Sequence, residues 1–284
     1  MFALGFDIGG SSIKAVAAEN KKIIASKIEV LPKSFQGFLK VAKEMKNALE
    51  KELKKKAEGA GFSFPGPIDK KREKIIACPN IPYLANKSIL KILKKELQIS
   101  SIKIEHDIHC FLLAEREFGV SKKYQNVFYL AIGTGLGGAF SIDGKIVRGF
   151  HGSAGEFGQM IFNLERKETL EDICSGKYIV KKLGIDVSTA ITEAEKGNGK
   201  VQKVFSELGY NLGVGVAGVI NILDPEVVFI SGGISTARKF FDLEMRRAIQ
   251  TFVVSKKAKK TKIIFSKLGR FGGAMGAGLM AVES

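Results

Sequence analysis

The spacing of apolar residues along the chain predicts alternating strands and helices. Two apolar runs, residues 2–6 and 13–18, enclose a turn of glycine and serine, and a third run at 23–30 predicts another strand. Apolar residues then recur every three or four positions, which predicts a helix over 35–56. The alternation continues to the end of the chain and is typical of an α/β fold. The remaining predicted elements are strand 59–64, helix 88–97, strand 102–105, helix 108–118, strands 127–132, 139–142 and 145–148, helices 169–183, 188–196 and 200–223, strands 227–230 and 262–265, and helix 272–282.

The most informative feature is a glycine-rich turn that occurs twice, about half the chain apart. Each turn, at residues 9–12 and 133–138, follows an apolar strand and leads into another apolar stretch. Glycine lets a backbone approach a phosphate closely, and the N–H groups of such turns bind anions. Either turn alone is equally well explained as a hairpin, which needs glycine for its positive φ. Together they favour two similar half-molecules that face one phosphate chain.

The phosphate hypothesis assigns residues in both turns. Neither turn has the spacing of a Walker A loop or of a dinucleotide fingerprint. Hydroxyl groups add donors to the glycine backbone, and Asp7 offers the carboxylate that a hydrated magnesium ion prefers. The predicted phosphate-binding residues are Asp7, Gly9, Gly10, Ser11, Ser12 and Lys14 in the first turn, and Gly133, Thr134, Gly135, Gly137 and Gly138 in the second.

Composition describes an ordinary globular protein. The residues are 45% apolar and 26% charged, as in most globular proteins. A length of 284 residues is sufficient for one large domain or two modest ones, each with a hydrophobic core. We expect a cytoplasmic protein, because no signal peptide and no apolar run of membrane-spanning length occurs. Three distant cysteines, Cys78, Cys110 and Cys174, favour reduced thiols over disulfides or a zinc site.

The formal net charge of +16 is the one unusual bulk property. The lysines form scattered clusters in segments that are typical of solvated helix faces and loops. No basic stripe interleaved with aromatic residues and no known nucleic-acid module occurs, so we expect no nucleic-acid partner. A polyanionic substrate is an alternative explanation of the charge.

The chain resembles the ROK family (repressor, open reading frame, kinase) of the actin/hexokinase-like ATPase superfamily. The resemblance runs from the first turn to residues 272–277, and its most specific segment is 133–159, which looks like the family signature in order and spacing. Residues 223–226 and 231–233 are similar to the adenosine-side segment, which implies that Gly232 and Gly233 lie beside the nucleotide.

The resemblance implies two ribonuclease-H-like α/β domains and a homodimer. The expected domains are residues 1–108, onto which helix 272–284 packs back, and 109–271. Family members include hexose and N-acetylhexosamine kinases, and sugar-responsive repressors with an added N-terminal DNA-binding domain. The first turn begins at Asp7, which leaves no room for such a domain, so we expect a kinase.

Phosphoryl transfer needs a cradle for the donor, a metal ion, and a carboxylate that accepts the proton of the attacking hydroxyl. Asp107 lies between a predicted strand and a predicted helix, and the resemblance places it at the family's catalytic aspartate. The alternative is that Asp107 only caps that helix. The expected reaction is glucokinase-like. With ATP and magnesium, the protein would phosphorylate the 6-hydroxyl of a hexose or N-acetylhexosamine.

The resemblance also implies sugar-binding residues: Gly66, Asn80 and Glu156, beside Asp107. Each has a simpler explanation, because glycine and asparagine form turns and a loop glutamate is often only a surface charge. Two positions depart from the family pattern. Gln159 stands where many members have a histidine followed by a cysteine-rich zinc loop, so we predict no structural zinc. His106 stands in place of the usual asparagine.

His106 and Gln159 are also predicted to contact the sugar, and they leave the identity of the sugar open. An imidazole at 106 could bind a different hydroxyl or alter the proton affinity of Asp107, or it could be a buried histidine without a role. Two rival functions follow. One is a sugar kinase that uses polyphosphate as donor, and the other is a non-catalytic sugar sensor in which these departures mark lost chemistry.

Overall fold

The computed structural model describes residues 2–20, 22–119 and 123–282. The strands are β1 (Phe2–Ile8), β2 (Ser12–Glu19), β3 (Lys22–Val30), β4 (Gly59–Phe64), β5 (Ser101–His106), β6 (Val127–Ile132), β7 (Leu136–Ile142), β8 (Lys145–Ile146), β9 (Ile161–Asn163), β10 (Glu168–Thr169), β11 (Val227–Ser231) and β12 (Lys262–Phe265). The helices are α1 (Phe35–Leu53), α2 (Ile89–Leu97), α3 (Asp107–Phe118), α4 (Leu170–Cys174), α5 (Gly176–Leu183), α6 (Val187–Glu195), α7 (Gly199–Leu223), α8 (Asp242–Phe252) and α9 (Gly272–Val282). Short 3₁₀ helices cover Pro82–Leu84, Phe157–Gln159, Gly233–Phe240, Ala258–Lys260 and Gly269–Phe271.

The chain divides into two compact units. The first consists of Met1–Lys123, Arg148–Ala154 and Leu268–Ser284, and the second of Tyr124–Val147 and Gly155–Lys267. This division differs from the boundary at residues 108 and 109 that the sequence led us to expect, because it keeps all of α3 in the first unit. The boundary drawn from the sequence stays a prediction.

The first unit contains a five-stranded mixed sheet in the order β3-β2-β1-β4-β5. β1, β2 and β3 form an antiparallel meander, while β4 and β5 run parallel to β1. The carboxyl ends of β1, β4 and β5 therefore meet at one edge of the sheet. Chain segments that follow these three strands are brought together there, which is the usual position of ligand sites in α/β sheets.

The two faces of this sheet are packed differently. Phe6 and Phe62 are paired across β1 and β4 and stack with their ring centroids 4.5 Å apart in the core. Their neighbours in the pairing, Gly5 and Gly61, point to the opposite face. A Cβ atom on Gly61 would overlap the carbonyl oxygen of Ala277, so the backbone of α9 lies directly on the sheet.

The second unit has the same sheet pattern. Its order is β12-β11-β6-β7-β8. β7 is antiparallel to both of its neighbours, β6 and β8, and β11 is parallel to both of its neighbours, β6 and β12. The long helix α7 buries apolar side chains such as Phe205 and Leu212 in one core with Phe128 and Ile230 of the sheet. β9 and β10 form a separate two-stranded sheet. The repeated strand order confirms the predicted α/β fold with two similar halves.

One predicted helix is divided in two. Helical periodicity predicts a single helix over 169–183, but α4 ends at Cys174 and α5 begins at Gly176. Ser175 between them is extended (φ −122°, ψ −177°), and its side chain accepts a hydrogen bond from the backbone N–H of Lys177. A serine that caps a new helix therefore ends the previous one. The predicted strand 145–148 is also shorter, since β8 spans only two residues.

Among residues 2–20, 22–119 and 123–282, none of the helices combines the length and the apolar character that crossing a bilayer requires.

Candidate active site

The carboxylate of Asp7 is fixed at the carboxyl end of β1. It is 4% exposed, and its Oδ1 accepts a hydrogen bond from Ser63 Oγ at 2.8 Å. Its Oδ2 lies 3.2 Å from Lys14 Nζ. Strand pairing explains both contacts, because Lys14 on β2 and Ser63 on β4 are the register partners of Asp7. The sheet itself thus holds a carboxylate and an ammonium group beside the first glycine turn.

The first glycine turn is a tight reversal that presents backbone to solvent. Gly9 N donates to Ser12 O at 2.9 Å, and Ser11 O accepts from Leu31 N at 3.0 Å. Gly10 and Ser11 are exposed at its tip. A Cβ atom on Gly10 would lie 3.9 Å from Asn80 Cβ, so Asn80, which is also exposed, approaches this turn.

Asp107 is the first residue of α3, directly after β5. Its Oδ1 accepts a hydrogen bond from Ile108 N at 2.6 Å and lies 3.3 Å from His106 Nε2. The side chain is 35% exposed, so a hydroxyl can reach it. The bond to Ile108 agrees with the helix-start explanation, and the exposure leaves room for a catalytic role as well. Burial lowers the pKa of His106, although the nearby Asp107 acts in the opposite direction.

Asp7 and Asp107 lie at the same edge of the first sheet, because Asp7 pairs with Ser63 of β4 and Ser63 pairs with Glu105 of β5, two residues before Asp107. Burial raises the pKa of Cys110 well above its ordinary value, and the carboxylates of Glu105, Asp7 and Asp107 raise it further. A hydrogen bond with Ser63 lowers it only partly. The structure therefore brings together the carboxylate predicted to hold magnesium and the carboxylate predicted to act as base.

Gly66 is required by its own backbone. Its φ is +110°, which side chains other than glycine rarely allow, and a Cβ atom there would overlap the carbonyl oxygen of Ala77. Turn geometry thus explains this glycine fully, and its predicted contact with a sugar stays a prediction.

The second glycine turn is held by a side chain and by the start of a helix. Gly133 N donates to Gly135 O at 2.9 Å, and Gly133 O accepts from Gly176 N, at the beginning of α5, at 2.8 Å. Glu171 Oε2 accepts from Leu136 N at 3.0 Å. A Cβ atom on Gly135 would lie 2.6 Å from the same oxygen, so glycine makes room for this carboxylate.

The other glycines of the second unit differ in their surroundings. Gly138 is buried in β7, where a Cβ atom would lie 2.7 Å from Phe157 Cβ, so packing explains it. Gly137 is half-buried in the same strand, while Thr134 is exposed at the turn. Gly232 has a φ of +94° at the end of β11.

Gly233 begins the 3₁₀ helix after β11 and has open space where a side chain would be. Glu156 directly precedes the 3₁₀ helix Phe157–Gln159 and Gln159 ends it, and both residues are exposed. Gln159 N donates to Glu156 O at 3.0 Å, which keeps the two residues on one short turn. The two predicted sugar contacts of the second unit are therefore neighbours.

The comparison with known proteins decides the family. The chain matches the ROK family over residues 3–284. It belongs to the ROK family. This ROK protein is 27% identical over 308 residues to the N-acetyl-D-glucosamine kinase of Vibrio parahaemolyticus, covering 98% of this chain and 99% of that protein. It is also 27% identical over 257 residues to the xylose repressor of Caldicellulosiruptor bescii, covering 78% of this chain and 63% of the repressor.

A solved structure supports the fold. The ROK glucokinase of Streptomyces griseus, in complex with glucose and AMPPNP, superposes with a TM-score of 0.86 over 100% of both chains at 21% identity. This likeness confirms the predicted two-domain actin/hexokinase-like fold. The ROK family includes sugar kinases and repressors, so family membership by itself leaves the activity of this member open.

No cluster of three or more histidine, cysteine, aspartate or glutamate side chains suited to a metal ion occurs in the part of this ROK protein that the structure describes. Cys174 is buried as a free thiol, as are the other two cysteines. The predicted lack of structural zinc stays a prediction.

Sequence reasoning missed a buried cluster around Glu105, which is 1% exposed. Its Oε1 accepts from His106 N at 3.0 Å and lies 3.1 Å from His109 Nδ1. Its Oε2 lies 2.6 Å from Arg148 Nη2 and 3.1 Å from Arg72 Nη2. Burial would raise the pKa of Glu105, but His109 and the two guanidinium groups outweigh it and lower the pKa to about 2.

Glu171 was missed as well. A local signal existed for Glu105, which is a carboxylate two positions before Asp107 in a predicted buried strand. For Glu171 no local signal points to its contact, because 35 residues separate it from Leu136.

Proposed function

We propose that this ROK protein is an ATP-dependent sugar kinase that phosphorylates a hexose or N-acetylhexosamine, at the 6-hydroxyl. The observation that carries the proposal is the position of Asp107, a partly exposed carboxylate at the start of α3 and at the same edge of the sheet as Asp7. The similarity to the Vibrio parahaemolyticus N-acetyl-D-glucosamine kinase, which extends over 98% of this chain and 99% of that protein, supports the proposal.

In this proposal Asp107 accepts the proton of the sugar hydroxyl as that oxygen attacks the γ-phosphate. The neighbouring His106 has a lowered pKa, so at neutral pH its imidazole is uncharged and can exchange a hydrogen bond with a second hydroxyl. Asn80, Glu156 and Gln159 would bind further hydroxyls.

The phosphates would be held by the two glycine turns. In the first, Lys14 is a cation beside the turn, since a Cβ atom on Gly9 would lie 3.8 Å from its Nζ. In the second, the turn adjoins the N-terminus of α5, where the helix dipole favours an anion.

Magnesium fits the same arrangement. A carboxylate oxygen can accept more than one hydrogen bond. Asp7 accepts one from Ser63 on Oδ1 and one from Lys14 on Oδ2, so it can still accept bonds from water on a hydrated ion. The ion would neutralise charge on the β- and γ-phosphates. Gly232 and Gly233 would lie beside the adenosine. The homodimer rests on family membership alone.

The deciding experiment is a panel of hexoses, hexosamines and N-acetylated sugars with ATP and magnesium. We expect release of ADP together with a sugar phosphate, identified by mass spectrometry, for one class of sugar. Parallel reactions with polyphosphate test the alternative donor that the charge of +16 raises. Sugar binding by calorimetry without any phosphorylated product would show a sensor instead and contradict the proposal.

A further inference from the structure

A cavity of about 160 Å³ lies within the first unit, and none of the predicted sugar- or phosphate-binding residues lines it in the described part of the chain. We call it the basic cavity. Its charged and polar lining consists of Asp69, Lys70, Arg72, Glu105, His109 and Arg148. It is smaller than the sites of drug-sized ligands, which begin at about 300 Å³. A nucleotide is therefore too large for it.

His109 leaves a buried polar atom unsatisfied at this cavity. The residue is 1% exposed, and within the described residues its Nε2 has no hydrogen-bond partner. Its Nδ1 lies 3.1 Å from Glu105 Oε1. An ionised carboxylate only accepts hydrogen bonds, so Nδ1 carries a hydrogen and Nε2 is the atom left over. A buried polar atom without a partner costs free energy, which a bound molecule in the cavity would recover.

The cavity is rich in unused donors. Arg148 binds Glu105 through Nε and Nη2, which leaves part of its five N–H groups for another acceptor. Lys70 Nζ lies over the ring of the exposed Phe150, 4.2 Å from its centroid, and makes no ion pair with any described residue. An ammonium group is thus available at the edge of the cavity.

The charges leave a positive excess. Three cations, Lys70, Arg72 and Arg148, line the cavity against the carboxylates of Glu105 and Asp69. Asp69 is occupied by its own turn, since its Oδ1 accepts the N–H groups of residues 73 and 74 at 2.7 Å each. Glu105 is shared between two guanidinium groups. An incoming anion therefore meets more positive than negative charge.

We infer that the basic cavity binds a small tetrahedral oxyanion, of the kind presented by inorganic phosphate or by the phosphate group of a sugar phosphate. Arg148 and Lys70 donate to its oxygens, and His109 Nε2 accepts from a protonated oxygen of hydrogen phosphate. This inference concerns a site apart from the proposed catalytic residues and holds whether or not the protein is a kinase.

The test is calorimetric titration of the full chain with inorganic phosphate in the millimolar range. Lys70→Glu reverses the charge at the rim, and Lys71→Glu makes the same change on the next, exposed residue, which does not line the cavity. We expect saturable binding that Lys70→Glu weakens by about tenfold or more and Lys71→Glu leaves within twofold. His109→Asn should weaken it too, if that variant folds.

Two further titrations compare free phosphate with a sugar phosphate, and the basic cavity with the proposed ATP site. Titration with glucose 6-phosphate, with glucose as the control, shows whether free phosphate or a sugar phosphate binds more tightly, and either result supports the inference. Saturating AMPPNP should leave phosphate binding unchanged. No saturable binding, equal binding by both lysine variants, or complete displacement by AMPPNP would each overturn the inference.

Discussion

Replacing Asp107 with asparagine separates a catalytic role from a structural one. Asp107 Oδ1 accepts from Ile108 N at 2.6 Å and lies 3.3 Å from His106 Nε2. Asparagine keeps an acceptor oxygen at this position and suits helix starts as well as aspartate does. We therefore expect the free energy of unfolding to change by less than about 1 kcal/mol. What the substitution removes is the ability to take up a proton.

The expected loss of activity follows from that single change. A positioned general base contributes about 10²- to 10⁴-fold to a rate, which corresponds to about 2.7 to 5.4 kcal/mol of activation free energy. We expect kcat to fall by at least about 100-fold. The amide still forms a hydrogen bond with the sugar hydroxyl, so the sugar Kd should stay within about threefold, equivalent to less than about 1 kcal/mol.

The assay is ADP release with the best sugar of the panel, together with calorimetric sugar binding and thermal unfolding. Asp186→Asn is the matched control. Asp186 also lies at a helix start, where its Oδ1 accepts from Thr189 N at 3.0 Å, and it is exposed in the second unit. Its kcat should be that of the wild type. If Asp107→Asn keeps kcat within threefold while folded, Asp107 is only a helix-start residue.

Three further predictions concern stability and substrate binding. Gly61→Ala should destabilise the protein by about 2 kcal/mol or more in urea unfolding, because its Cβ would overlap the Ala277 carbonyl, whereas Gly218→Ala in α7 has open space and should stabilise by about 0.5–1 kcal/mol. The pKa of Glu105 is about 2 in the folded protein and near 4.5 in the unfolded chain. The ionised carboxylate therefore stabilises the fold fully above pH 4.5, and the free energy of unfolding should fall by about 3 kcal/mol as the pH drops toward 2. Unfolding curves from pH 6 to 2 should show this dependence, and Glu105→Gln should lack it; equal pH dependence in both proteins would contradict the prediction. Glu156→Gln should raise the KM for sugar about tenfold or more and leave the KM for ATP unchanged, because a hydrogen bond to a charged group is worth about 1.5–3 kcal/mol; parallel changes in both constants would contradict a sugar contact.

Local patterns were sufficient for most of the fold. Apolar runs around a glycine turn predicted β1 and β2, and the same motif predicted β6 and β7. The break at Ser175 was missed because helical periodicity continues through it, although serine is a favoured residue at a helix start. That break matters for the site, since it places the start of α5 at the second glycine turn.

The side chains that support the candidate site were less predictable, because their partners are distant in sequence. Glu105 and Arg148 are 43 residues apart, and their ion pair exists only because the short segment Arg148–Ala154 packs in the first unit. No periodicity or spacing relates two such residues. The sequence could propose Asp107 as an isolated carboxylate, but not the cluster next to it.

This cluster holds the backbone directly before Asp107. Removing a carboxylate from water is costly unless cations and hydrogen bonds compensate, and Glu105 has two guanidinium groups and His109 as partners. Its remaining bond is to His106 N, the backbone group directly before the first residue of α3. The buried charge therefore holds the backbone of His106, the residue directly before Asp107. In the proposed reaction the carboxylate of Asp107 must lie within hydrogen-bond distance of a hydroxyl, so we expect Glu105 to influence the geometry of that reaction as a positioning residue.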